Sequence, residues 1–72
     1  NDYQARFDLA LILWAKGDQE AAANQLLEIV RRDRGWNEDG ARKQLVKFFD
    51  LVGPMEPFTV KTRKKLSSIL FS

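Results

Sequence analysis

Leu9-Ala10-Leu11-Ile12-Leu13-Trp14-Ala15-Lys16-Gly17-Asp18-Gln19-Glu20-Ala21-Ala22 is the stretch whose reading decides the fold. An apolar run ends at Gly17, the residue best suited to the left-handed conformation that closes a helix. Asp18 follows with a side chain able to accept a backbone N–H and open a second helix, and Glu20 favours that helix's positive end. Alanines come next, so two helix axes can approach near the turn. The stretch reads as the bend of a helical hairpin.

Outward from this bend, helix 1 is expected from about Asp2 to Lys16 and helix 2 from Asp18 to about Arg34. Helix 1 carries two apolar stripes, one of Ala5, Leu9, Ile12 and Leu13, the other of Tyr3, Phe7, Ala10, Leu11 and Trp14. One stripe suffices for an ordinary amphipathic helix. Two imply packing on two sides, by helix 2 and by either helix 3 or an element upstream. On helix 2 the inner face is Ala22, Leu26, Ile29 and Val30. Gly35 is expected to stop it, Trp36 to fold back on Ile29 or Val30 or to staple onto Ala41, and Asn37 to cap helix 3. Helix 3 then spans roughly Glu38 to Val52, with Ala41, Leu45, Phe48, Phe49 and Val52 inward. Gly53-Pro54 ends it, and Pro57 suits the first position of helix 4, which runs to Leu70 with Phe58, Thr62, Leu66, Ile69 and Leu70 as its stripe.

The two halves are related. Ala5, Leu9, Leu13 and Gly17 recur 36 residues later as Ala41, Leu45, Phe49 and Gly53, whereas Leu26, Ile29 and Val30 recur 40 later as Leu66, Ile69 and Leu70. The second hairpin therefore has a loop four residues longer. The fold class is all-α: two antiparallel helical hairpins, at about residues 2–34 and 38–71, in one domain. A helix–turn–helix period near 34 residues marks tetratricopeptide repeats. The first hairpin resembles that repeat in Leu9-Ala10, Gly17-Asp18 and Ala22, and the resemblance implies right-handed superhelical stacking. Arg6, Leu13, Leu26, Ile29 and Arg34 depart from the usual residues, which bears on the peptide groove rather than the hairpin.

A narrower resemblance rests on Ala5-Arg6-Phe7-Asp8-Leu9-Ala10, Gly17-Asp18, the run Leu26 to Asn37, Ala41-Arg42-Lys43 and Gly53-Pro54. The chain resembles the C-terminal tetratricopeptide-like module of bacterial thioredoxin-like co-chaperones of the YbbN/CnoX type. That resemblance implies a cytoplasmic parent with an upstream thioredoxin domain, unfolded client proteins, and a GroEL-type chaperonin docked through the last helix. Lys61, Lys64, Lys65, Leu70 and Phe71 are the candidate contacts on that helix by position. The alternative is an accessory domain that positions a redox-active thioredoxin domain of a disulfide oxidoreductase. A plain scaffold repeat with a peptide ligand is a third reading.

Composition narrows the chemistry. The 72 residues contain no Cys and no His, so there is no thiol, no imidazole base and no Cys/His metal site. Ser67, Ser68 and Ser72 have no base spaced to activate them. No catalytic, cofactor or metal residue is expected in this segment. Net charge is +2, too small to argue for nucleic acid, and no apolar run suits a membrane. Residues 1–30 hold two cations and five anions, and residues 31–72 ten cations and five anions. The start at Asn1 and the absence of a signal sequence suggest a soluble piece of a longer parent. Tyr3, Phe7, Leu11 and Trp14 are the remaining candidate protein-binding residues. Their stripe is expected to pack on a preceding helix, to dimerise when that helix is missing, or to meet a partner.

Overall fold

The structure, a computed structural model, describes residues 2–71. Asn1 and Ser72 lie outside the described residues. Within them are four helices, α1 (Tyr3–Ala15), α2 (Gln19–Arg32), α3 (Gly40–Val52) and α4 (Pro57–Leu70), and no strand. The all-α expectation holds.

The opening bend forms through a double use of Asp18. Its N–H donates to the Leu13 carbonyl at 2.9 Å while Gly17 N–H donates to Trp14 at 3.0 Å. This is the paired closure that satisfies the last carbonyls of a helix, and it needs a left-handed residue at Gly17, where φ is 90°. The Asp18 carboxylate then accepts the Ala21 N–H at 3.2 Å and caps α2. Asp2 caps α1 in the same way, accepting from Ala5 N–H at 2.9 Å. At the other bend Gly53 ends α3 with φ 113°, and Pro57 occupies the first turn of α4. Pro57 supplies no N–H where the helix needs none.

α2 is the central element, packed against each of the other three helices. Its Ala22, Ala23, Leu26, Leu27, Ile29 and Val30 are all buried. They join Ala10 of α1, Ala41, Leu45, Phe48 and Phe49 of α3, and Leu66 of α4 in one core. α1 and α2 pack intimately, as their alanines allow, while α3 and α4 touch far less. Phe49 and Phe58 stand between these last two, with ring centroids 6.3 Å apart. The Cα trace measures 31 × 30 × 17 Å. Two helix layers fill a thickness of that order, so every peripheral helix keeps a solvent face.

The joint between α2 and α3 departs from expectation. α2 ends at Arg32, not Arg34, and Gly35 does not take a left-handed conformation. α3 begins at Gly40 rather than Glu38, and Asn37 is not its cap. Instead Asn37, Glu38 and Asp39 all have positive φ, 51°, 53° and 65°, and Asp39 precedes α3 without a side-chain capping bond. Tertiary contacts explain the difference. Leaving the helix early lets Trp36 reach Tyr3 and Phe7 of α1, with ring centroids 6.3 and 5.6 Å away. It also frees Arg34, whose Nη2 donates to the Leu70 carbonyl at 2.8 Å, at the far end of α4. A cation there complements the helix dipole.

Candidate protein-interaction surface

The aromatic stripe of α1 finds its partners inside the chain. Trp14 stacks on Phe48 of α3, centroids 3.7 Å apart and planes within 5°, and meets Phe58 of α4 edge-on at 5.5 Å. Tyr3 and Phe7 meet Trp36. All four of Tyr3, Phe7, Trp14 and Trp36 are half-buried against the core. Of the two covers open to this stripe in the sequence, α3 and its lead-in supply the cover here. Leu11 is the exposed member, at 39%. In the other stripe Leu13 packs half-buried against the core, while Ala5 is exposed and Leu9 and Ile12 show 42% and 52% of their surface.

The α4 candidates do not form one surface. Lys61 and Lys65 line a groove of about 290 Å³ between α2 and α4, with Gln19 and Glu20 opposite. Lys61 Nζ lies 3.9 Å from Glu20 Oε1, and both side chains are well exposed; such a pair is weak. Lys64 is exposed. Leu70 and Phe71 border a second groove, about 300 Å³, between α3 and α4. Val46, Phe49 and Leu66 form its apolar floor and wall, and Asp50 and Arg63 stand at its rim. Leu70 is half-buried there, whereas Phe71 is 83% exposed. Val46 was not singled out from the sequence. It sits outside the inward stripe of α3, and only the offset between α3 and α4 turns it toward a groove.

Beyond these grooves the ionic features are structural. Glu28 accepts from Arg31 at 2.9 and 2.7 Å and from Arg32 at 2.6 Å. The Arg31 hydrogen bonds, then those of Arg32, hold its carboxyl below the ordinary carboxylate range. This clasp closes the last turn of α2, where cations are favoured. Arg6 donates to Gln25 across the first hairpin at 3.0 Å. Among the described residues no cluster of three acidic side chains could hold a metal ion, and no helix is long and apolar enough to cross a membrane. Ser67 and Ser68 lie exposed on α4, and Ser72 is outside the described residues.

The chain is similar to three curated mycobacterial proteins, one from Mycobacterium bovis and two from strains of Mycobacterium tuberculosis, each named only as uncharacterized. Each is 31% identical over 71 residues, covering 99% of this chain and 23% of the relative. The chain thus spans about a quarter of the length of the curated relatives it matches. No solved structure matches it. The tetratricopeptide repeat signature matches residues 1–71. With four helices in two related hairpins and that match along nearly its whole length, the chain belongs to the tetratricopeptide repeat family.

Proposed function

We propose that this chain is the C-terminal interaction module of a cytoplasmic thioredoxin-like co-chaperone, without catalytic activity of its own. It presents the α4 side of the domain to unfolded client proteins or to a GroEL-type chaperonin. Tetratricopeptide domains are generally protein–protein interaction modules, which supports the class of function. The observation that carries the location is Phe71. A large aromatic ring that is 83% exposed at the rim of an apolar groove is the kind of anchor that dominates protein interfaces. Arg63 and Asp50 stand together at the groove's rim, so an apolar segment suits the site best. The longer parent with an upstream thioredoxin domain belongs to the same proposal.

The test uses the full-length protein with Leu70→Asp and Phe71→Asp together, compared with Lys61→Glu and Lys64→Glu. Chaperonin co-purification should be lost in the first pair and weakened in the second. Circular dichroism should show an unchanged helical signal. Full retention of the chaperonin by the first pair, with the fold intact, rejects docking through α4.

A further inference from the structure

Ser67 and Ser68 are neighbours in sequence but border different grooves. Both are exposed near the end of α4, and residues 57–68 carry four cations and no anion. Ser67 borders the apolar groove between α3 and α4, beside Leu70 and Phe71. Ser68 borders another, of about 340 Å³, between the end of α2 and the last turn of α4. Val30 and Ile69 form its apolar part, and Arg31 and Arg34 face it from the α2 side. No carboxylate lines it. Nothing in the run Leu66-Ser67-Ser68 separates the two hydroxyls; the packing of α4 on α2 does.

The two guanidiniums are positioned without being saturated. Arg31 donates to Glu28 through Nε and Nη2, and Arg34 donates to the Leu70 carbonyl through Nη2. A guanidinium carries more N–H donors than these bonds use. Of the nearby acids, Glu28 is held by Arg31 and Arg32, and Asp33 is exposed. Lys64 and Lys65 stand one turn before Ser68. The C-terminal end of a helix disfavours a new negative charge unless cations oppose it. At Ser68 two arginines do.

We infer that Ser68 is a phosphorylation site, and that Arg31 and Arg34 receive the phosphoserine. The phosphoryl donor is ATP, and the enzyme is a serine kinase that selects basic residues ahead of its target. The Ser68 oxygen attacks the γ-phosphorus, and the bond from that phosphorus to the β–γ bridging oxygen breaks. ADP leaves, and the hydroxyl proton passes to the kinase's catalytic carboxylate. The last turn of a helix opens most easily, which lets the enzyme reach the hydroxyl. The product carries a charge of about −1.5 to −2 and strongly accepting oxygens. Arg34 then exchanges the Leu70 carbonyl for a phosphate oxygen, because charge-assisted bonds are the stronger. On Ser67 a phosphate would meet one arginine, Arg63, with Asp50 at the same rim and an apolar floor.

The test has two arms, both on the full-length protein. In the first it is incubated with ATP and a serine kinase of that selectivity, and phosphate is located by peptide mass. Phosphate at Ser68, lost in Ser68→Ala, is expected. None at Ser68, with the kinase active on a basic control peptide, overturns the site. In the second arm phosphoserine is installed genetically at position 68 or, separately, at position 67, and its phosphorus NMR shift is titrated with pH. A phosphate facing two guanidiniums releases its second proton more readily. The midpoint should therefore lie lower at 68 than at 67, and should rise at 68 when Arg31→Gln and Arg34→Gln are combined. Equal midpoints at 68 and 67 overturn reception by the arginines, as does an unchanged midpoint in a double variant that keeps its helical circular dichroism. The comparison of 68 with 67 needs no arginine variant, so it decides even where the double variant unfolds.

Discussion

Thr59 is the residue with the most unfavourable position. It is fully buried, and its Oγ1 has no hydrogen-bond partner. Burying an unpaired hydroxyl costs roughly 1–3 kcal/mol. Thr59→Val exchanges the hydroxyl for a methyl of nearly the same shape, so it should raise stability by about 1 kcal/mol, seen as a melting temperature some 4–8 °C higher. A lower melting temperature means that the hydroxyl is paired in solution. The stripe of α4 read from the sequence omits Thr59 because its side chain is polar, although it lies three residues before Thr62 and on the same helical face as Thr62, Leu66 and Ile69. The same limit applies to Asn37, Glu38 and Asp39. Asn and Asp tolerate positive φ and Glu does so poorly, so composition alone favours a normal cap over three left-handed residues in a row.

At the scale of elements, the bend at Gly17-Asp18 was fully legible, since cap chemistry is local and depends on residues within a turn or two of one another. Asp18→Ala removes the bond to Ala21 N–H and should cost about 1 kcal/mol, whereas Asp18→Asn should keep most of the stability. Chemical denaturation of the two variants separates a capping role from a purely charged one. The end of α2 adds a pH dependence. Glu28 has its folded pKa lowered from 4.5, first by its hydrogen bonds with Arg31 and then by those with Arg32. A carboxylate of lowered pKa contributes stability above its unfolded value and loses that contribution as pH falls through the folded one. Thermal melts should therefore place the native chain above Glu28→Gln at pH 7, with the gap closing as pH drops below 4.5. A gap independent of pH would assign the difference to packing instead. The positions of Arg31 and Arg32 at a helix end were readable, but Arg34 was not: its partner, the Leu70 carbonyl, lies 36 residues away.

For the whole molecule, the interlock of the two hairpins depends on Trp14, the side chain that stacks on Phe48 and meets Phe58. Trp14→Ala should cost about 3 kcal/mol or more. A chain of this length has a total stability of about 4–11 kcal/mol, so the variant should melt well below the native chain by circular dichroism. Near-native stability would mean that the hairpins hold together through α2 alone. The sequence by itself determined the four helices, the two hairpin bends at Gly17-Asp18 and Gly53-Pro54, and the pairing of repeat positions. Each follows from apolar period, glycine and proline placement, and capping groups, all of them interactions between near neighbours. Only the tertiary structure decided which apolar stripe of α1 is covered. Both stripes are apolar, and the choice is made by Trp36, Phe48 and Phe58, which come from beyond the second helix and pack on the aromatic side. The Ala5–Leu9–Ile12 side stays open because, among the described residues, no helix stands against it as α2 stands against α3.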